Sequence, residues 1–181
     1  MLANSARELA SRLIRSQLPR RWAHVVGVAD KATRVAAQLD DVDTELVVAA
    51  AWLHDIGYST ELVESGLHAL DGARYLRDHG WDPRVVALVA HHSASRVEAA
   101  ERGLERDLLR EFAEPADRSS LEVLVYCDMT TGPAGEVLSV EQRLAEISKR
   151  YGPKAVVTKF VDEASDDLVA IVHRVEERLR Q

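Results

Sequence analysis

The stretch Ala49-Ala50-Ala51-Trp52-Leu53-His54-Asp55-Ile56-Gly57-Tyr58-Ser59 ends an almost wholly apolar segment in a histidine, a carboxylate and a glycine. A helix as apolar as residues 46–53 has little polar surface and is expected in the core, so it carries His54 and Asp55 inward. Burying an imidazole beside a carboxylate is costly unless both groups have partners. The pair therefore either satisfies itself and the backbone, or ligates a cation.

Composition and length predict a single domain over residues 1–181. Of the 181 residues, 46% are hydrophobic and 29% are charged, which allows a sizeable core. Cys127 is the only cysteine, which excludes an internal disulfide and a thiolate metal cluster and fits a reducing cytoplasm. Residues 1–21 lack a continuous apolar signal core, and the run 46–53 is far shorter than the ~20 residues that span a bilayer. We therefore expect a cytoplasmic protein without a membrane segment.

The charge balance limits the partners that the protein is expected to bind. The formal net charge is −7, which argues against binding long nucleic acids, since that depends on neutralising many phosphates with Lys and Arg. A small phosphorylated substrate remains compatible with this net charge, because its binding depends on the local electrostatic field of the site. Metal cations would dominate that field.

Hydrophobic periodicity predicts one helix after another and no period-2 strand, hence an all-α helical bundle. Asp43, Asp82-Pro83 and Ser139-Val140-Glu141-Gln142 are typical helix starts. The last helix is predicted from Pro153 to about Leu179, with Phe160 and Val161 on its packing side. The charged region 94–117 is expected to be a helical excursion that serves as a lid or a partner surface, and a homodimer is an open alternative to a monomer.

Six polar residues lie on, or just beyond, the apolar faces of different predicted helices. A single histidine in such a position is most often a core histidine bonded to a carbonyl group. Six together, with no buried Lys or Arg evident beside them, are difficult to satisfy without a cation. Imidazoles and carboxylates without sulfur suit a catalytic Fe, Mn, Zn or Ni site better than a structural zinc. These residues are His24, His54, Asp55, His68, His91 and Asp128.

This ordered set resembles the HD-domain superfamily of metal-dependent phosphohydrolases, whose signature is a histidine, a His-Asp pair and a distant aspartate. The resemblance covers about residues 21–133, with residues 134–181 expected as C-terminal helices that pack on this core. His68 and His91 resemble the two further histidines of the two-metal version, and the chain looks most like the bacterial HD hydrolases that include symmetrical dinucleoside tetraphosphatases. The resemblance implies that one ion is held by His24, His54 and Asp128, a second by His68 and His91, and that Asp55 bridges the two.

The resemblance also implies the chemistry, with His54 and Asp55 as the central catalytic pair. Two cations can share a water, lower its pKa and present it as hydroxide to a phosphorus atom. The expected reaction is hydrolysis of a phosphoester or phosphoanhydride bond in a small, nucleotide-like substrate.

His92 resembles one of the paired histidines of cyclic-dinucleotide phosphodiesterases and is kept as a candidate contact to metal or phosphate. The candidate substrate contacts are Tyr58, Arg74 and Arg96, and Lys31 and Arg143 could also bind a second phosphate, although a surface charge is the commoner role of a basic residue.

Two other functions remain open at this point. Di-iron oxygenases that cleave C–C or C–P bonds share this fold and its four-histidine, two-aspartate ligation. A metal-bound or nucleotide-sensing module without turnover is the third alternative, and it would use the charged excursion 94–117 as its interaction surface.

Overall fold

Ten α-helices follow one another in the described part of the chain. The structure is a computed structural model that describes residues 1–152 and 155–181, apart from the side chains of Phe160 and Val161. No β-strand occurs among these residues, so the predicted all-α class is confirmed. The helices are α1 (Leu2–Ile14), α2 (Pro19–Ala36), α3 (Thr44–Leu53), α4 (His68–Asp78), α5 (Pro83–His91), α6 (Ser95–Glu101), α7 (Glu105–Glu111), α8 (Arg118–Met129), α9 (Val140–Tyr151) and α10 (Val156–Arg178).

The apolar helix α3 lies at the centre of the main core. Its residues 46–53 are all buried, and it packs against α1, α2, α5 and α8. Asp43 caps its start, because the carboxylate accepts a hydrogen bond of 3.1 Å from the Leu46 backbone N–H. Each large apolar side chain buried here stabilises the fold by roughly 1.5–3 kcal/mol. The end of α3 therefore delivers His54 and Asp55 into the interior, where they are 1% and 3% exposed.

The other predicted helix starts also agree with the structure. The Asp82 side chain accepts a hydrogen bond from the Arg84 backbone N–H, and Pro83 is the first residue of α5. Ser139 and Gln142 form the predicted capping box of α9. The predicted start of the last helix at Pro153 and the predicted packing of Phe160 and Val161 lie outside the described residues.

A short 3-10 turn, Ile56–Tyr58, follows α3 and packs against the start of α4. A Cβ atom at Gly57 would lie 2.0 Å from the carbonyl oxygen of His68, so no side chain fits there. A Cβ at Gly72 would lie 3.2 Å from the Gly57 nitrogen. These close approaches bring His68 beside the His54-Asp55 pair.

A second 3-10 turn, His92–Ala94, separates α5 from α6. Ser93 and Ala94 both have left-handed backbone conformations, with φ values of 46° and 59°. Such conformations cost non-glycine residues free energy and are concentrated at functional sites. The turn redirects the chain directly after His91.

The C-terminal helices complete one side of the molecule. Helix α10 packs against α8, α9 and α6. A second apolar cluster joins α8, α9 and α10, and it contains Val125, Met129, Val140, Ile147, Ala164, Leu168 and Val172. The charged excursion forms the two short helices α6 and α7, as its helical pattern predicts. No described helix is both long enough and apolar enough to cross a bilayer.

Candidate metal centre

Three imidazoles point into one buried site because backbone carbonyls hold their opposite edges. In each ring Nδ1 lies within hydrogen-bond distance of a carbonyl oxygen, and a neutral ring that donates from Nδ1 carries its lone pair on Nε2. The three contacts are His24 to Gly132 (3.2 Å), His54 to Ala51 (2.8 Å) and His92 to Val89 (2.7 Å).

The Asp55 carboxylate lies between two groups of histidines. Its Oδ2 is 3.5 Å from His54 Nε2 and 3.9 Å from His24 Nε2, and its Oδ1 is 3.6 Å from His68 Nε2. His68 Nε2 in turn lies 3.2 Å from His92 Nε2. Two sets of three residues, His24-His54-Asp55 and Asp55-His68-His92, each bring their ligand atoms within 4.8 Å of one another. Both sets share Asp55.

Asp128, on α8, joins this cluster through His24. Its Oδ1 lies 3.1 Å from His24 Nε2, and Ser93 donates a hydrogen bond to its Oδ2. Arg143 also approaches, with Nη2 at 3.7 Å from Asp128 Oδ1. The sequence analysis did not single out Ser93, and its left-handed backbone is visible only in the structure.

The electrostatic environment favours the protonation states that metal ligands need. Burial alone would raise the pKa of Asp55, but Arg21 and the surrounding imidazoles hold it below its ordinary value. Burial likewise opposes ionisation of Asp128, yet the contact with His24 and the nearby positive groups hold its pKa well below the usual range. For His68 and His92, burial is the main cause that lowers the pKa. At neutral pH the carboxylates are therefore charged and these two imidazoles neutral.

The residues fit a divalent metal ion. His54 Nε2 is buried and has no hydrogen-bond partner among the described residues. Such an orphaned polar atom costs about 1–3 kcal/mol, and a cation would use its lone pair. Nitrogen and oxygen donors without thiolate match Fe, Mn, Zn or Ni. The cluster could hold ions on both sides of Asp55.

The structure brings His92, and not His91, to the cluster. His91 Nε2 donates a hydrogen bond of 3.0 Å to the carbonyl oxygen of Phe112, on the other side of α5. His91 is the last residue of α5 and His92 is the first of the following 3-10 turn, so their side chains point in different directions. The predicted place of His91 beside His68 is corrected to His92.

Two predicted substrate contacts lie elsewhere. Arg74 forms a two-pronged ion pair with Glu111, at 2.9 and 2.6 Å. Arg96 is exposed and pairs with Glu105 at 2.8 Å. Neither belongs to the described residues that line the cavity beside Asp55. Each guanidinium has a carboxylate partner away from the cluster, and a substrate contact by Arg74 or Arg96 stays a prediction.

Tyr58, the third predicted contact, does lie beside the cluster. The Tyr58 ring stacks on His68, with ring centroids 4.2 Å apart. The guanidinium of Arg21, a residue of α2, lies 3.5 Å from the centroid of the Tyr58 ring. Arg21 Nη1 also donates to Asp55 Oδ2 at 2.5 Å. Arg21 is not among the predicted site residues, although its position three residues before His24 puts both on one face of α2.

Two adjoining cavities open from the site. The first, of about 60 Å³, is bordered by the cluster itself. The second, of about 360 Å³, lies beside it. Four residues line both cavities, which makes them neighbours: Arg21, His24, Arg143 and Arg150.

Comparison with known families identifies the class of protein. The HD domain family model matches residues 21–129, more than half of the chain. The chain therefore belongs to the HD domain family, which confirms the predicted superfamily of metal-dependent phosphohydrolases. The match spans the elements from α2 to α8, and HD domains bind divalent metals.

The individual relatives are longer proteins. The chain is 37% identical over 105 residues to ribonuclease Y of Acidothermus cellulolyticus, covering 56% of this chain and 21% of that protein. It is 32% identical over 162 residues to ribonuclease Y of Salinispora tropica, covering 86% of this chain and 27% of that protein. A tRNA (cytidine(56)-2'-O)-methyltransferase of Thermoplasma volcanium is 38% identical over 78 residues, which is 43% of this chain and 22% of that protein. The chain thus spans about a quarter or less of these relatives' lengths, and no solved structure matches it.

Proposed function

We propose that this protein is a phosphohydrolase that uses two divalent ions to cleave a phosphoester or phosphoanhydride bond in a small, nucleotide-like substrate. One ion would be held by His24, His54, Asp55 and Asp128, and the other by Asp55, His68 and His92. The observation that carries the proposal is the pair of three-residue sets that share Asp55, one of which includes the unpartnered His54 Nε2.

The protein's own groups would prepare this reaction. Bound divalent ions supply Lewis acidity, which polarises a phosphoryl oxygen and lowers the pKa of a water. The carbonyls of Ala51, Val89 and Gly132 orient the histidines. Arg21 offsets the negative charge of Asp55 and lines both cavities, where its positive charge would attract an anionic substrate.

The size of the adjoining cavity supports a small substrate. Pockets that hold small ligands are typically about 300–1,000 Å³. The larger of the two cavities beside the cluster is about 360 Å³. The net charge of −7 also disfavours a long nucleic acid partner.

A second candidate is hydrolysis of a phosphodiester bond in RNA. It is supported by the ribonuclease Y of Salinispora tropica, whose similarity extends over 86% of this chain. Short oligoribonucleotides, assayed beside mononucleotides and dinucleotides, distinguish the two candidates. Cleavage of the oligomers alone would favour RNA, and turnover of the small nucleotides would favour the first proposal.

The decisive experiment combines metal analysis with a substrate panel. Protein without a histidine tag, purified without chelators, is analysed for metal and assayed with nucleotides. We expect His54→Ala and Asp55→Ala to lower the hydrolysis rate by about 100-fold or more, since each removes a ligand. His173→Ala is the matched control, because His173 is exposed on α10.

Three results would contradict the proposal. One is metal-replete protein that hydrolyses no member of the panel. Another is tight nucleotide binding without turnover, which would favour the sensing module. The third is substrate-dependent oxygen consumption by the iron form, which would favour the oxygenase.

A further inference from the structure

We propose that the arginine-lined cavity beside the metal centre binds a second phosphate, and that Arg143 is its central contact. The inference rests on the proposed function and narrows its substrate class to nucleotides with at least two linked phosphates. Four arginines line this cavity of about 360 Å³: Arg20, Arg21, Arg143 and Arg150.

Arg143 is a buried guanidinium with an unused donor. The residue is 6% exposed, and its Nε–H has no acceptor among the described residues. Its Nη1 donates to Glu146 at 2.8 Å, and its Nη2 lies 3.7 Å from Asp128 Oδ1. A buried N–H without a partner costs about 1–3 kcal/mol. An anion that accepted a hydrogen bond from this N–H would remove that cost. A guanidinium can also donate two hydrogen bonds to two oxygens of one phosphate.

Arg150 supports the same function from two turns further along α9. Glu146 accepts from Arg143 and pairs with Arg150 Nε at 3.2 Å, so one carboxylate holds two guanidiniums together. The side chain of Arg150 retains 31% exposure. The cavity's four positive charges exceed the three negative charges of Glu146, Asp55 and Asp128, the carboxylates that pair with three of its arginines. The excess positive charge would attract an anion.

The position of Arg143 relates this cavity to the metal centre. Asp128, which Arg143 approaches, is 3.1 Å from His24 Nε2. Arg143 and Arg150 line both cavities. A substrate with one phosphoryl group beside Asp55 would therefore place an adjacent phosphate beside these arginines.

Close backbone packing brings α9 to this position. A Cβ at Gly27 of α2 would lie 2.9 Å from the Gly135 Cα, and a Cβ at Gly135 would lie 2.8 Å from the carbonyl oxygen of Ala23. The loop before α9 is thus pressed against α2, and Ser139 starts α9 directly afterwards. Arg143 lies beyond residues 21–129, which match the HD family model, so the C-terminal part of the chain contributes this contact.

The first test measures anion binding and needs no turnover. Methylenediphosphonate, which carries two linked phosphoryl groups, and methylphosphonate, which carries one, are titrated into the 181-residue protein as purified. We expect Arg143→Gln and Arg150→Gln to weaken diphosphonate binding by about 10-fold or more. Monophosphonate binding should change less. Arg143→Lys should restore only part of the affinity, because lysine lacks the planar fork.

The matched control is Arg174→Gln, which removes an arginine paired with Glu122 on α8. Metal content and helical circular dichroism are measured for every variant, so that ion loss or unfolding is recognised. Diphosphonate affinities that stay equal to wild type in both folded variants, Arg143→Gln and Arg150→Gln, would overturn the proposal.

The second test uses substrate preference. For the hydrolase, the ratio of kcat/KM for a nucleoside diphosphate to that for a nucleoside monophosphate should fall by about 10-fold in Arg143→Gln, mainly through KM. An unchanged ratio would overturn the second-phosphate site and leave the hydrolase proposal standing. Arginine-dependent diphosphonate binding in a protein without turnover would support the site and count against the hydrolase.

Discussion

His91 and His92 are neighbours in the chain, but their imidazoles face different surroundings. His92 lies 3.2 Å from His68 in the cluster, whereas His91 is bonded to the Phe112 carbonyl. The left-handed Ser93 and Ala94 end α5 at this point. Which histidine reaches Asp55 therefore depends on where the helix stops.

Alanine substitutions should separate the two histidines. We expect His92→Ala to lower metal content and to reduce hydrolysis by about 10–100-fold, as loss of groups around a metal site commonly does. His91→Ala should keep the metal but lower the free energy of unfolding by about 1–3 kcal/mol, because the Phe112 carbonyl loses its donor. Elemental analysis and urea denaturation measure the two effects. Metal loss in His91→Ala with none in His92→Ala would refute this assignment.

The sequence predicted the cluster's composition better than its details. His24, His54, Asp55, His68 and Asp128 were identified because each interrupts an apolar helical face, and the structure places them together. His91 and His92 could not be distinguished, since neither Ser93 nor Ala94 is a residue that signals left-handed backbone. Arg74 and Arg96 could not be assigned partners, because their carboxylates, Glu111 and Glu105, belong to another helix, α7.

At the scale of elements, Glu111 links the charged excursion to the main bundle. Its carboxylate, on α7, accepts hydrogen bonds from Arg74 and Arg77 on α4. The hydrogen bond from Arg74 is the main cause that lowers the pKa of Glu111 to about 2. The excursion is thus fastened to α4 by a partly buried ion pair.

This ion pair should make part of the stability depend on pH. The folded-state pKa of Glu111 is below its ordinary value of 4.5, so its contribution is fully present above pH 4.5 and is lost as the pH falls towards 2. After allowance for solvent screening, we expect Glu111→Gln to lower the free energy of unfolding by about 1–2 kcal/mol at pH 7. The difference from wild type should shrink between pH 4.5 and pH 3.

Urea denaturation at pH 7, 5, 4 and 3 provides the measurement. Glu163→Gln, at an exposed position of α10, is the matched control and should show no such trend. A difference in the free energy of unfolding between Glu111→Gln and wild type that stays constant over this pH range would contradict the role assigned to the Glu111 ion pair.

Helix starts were predictable because their signals are local. Asp43, Asp82-Pro83 and Ser139 with Gln142 all cap the expected helices, through side-chain contacts within three residues. The packing of Gly57 against His68 was not predictable, because it joins two elements whose relative position follows from the whole core. Gly57 permits that approach as part of the 3-10 turn.

At the scale of the whole molecule, local charge differs from net charge. The chain carries −7 overall, yet four arginines surround the cavity beside the cluster. Composition reports only the sum, so it could argue against long nucleic acids without revealing a cationic pocket. The pocket depends on α9, which the fold brings beside α2 and α8.

Metal binding should stabilise the molecule as one unit. The proposed ligands come from α2, the end of α3, α4, α8 and the turn after α5, so an ion would link most of the bundle. An ion at 100 times its Kd adds about 2.7 kcal/mol to the free energy of unfolding. For a chain of this size, that corresponds to a rise in Tm of about 5–10 °C.

Calorimetry of the metal-loaded and chelated protein tests this expectation. Helix α10 shares Val175 with the main core and Leu168 with the second apolar cluster, so both clusters should melt in one transition. Removal of the ion should shift that single transition downward without splitting it. A separate transition of the C-terminal helices, with a Tm that does not change when the metal is removed, would show that residues 134–181 fold independently. That result would contradict the prediction of a single domain.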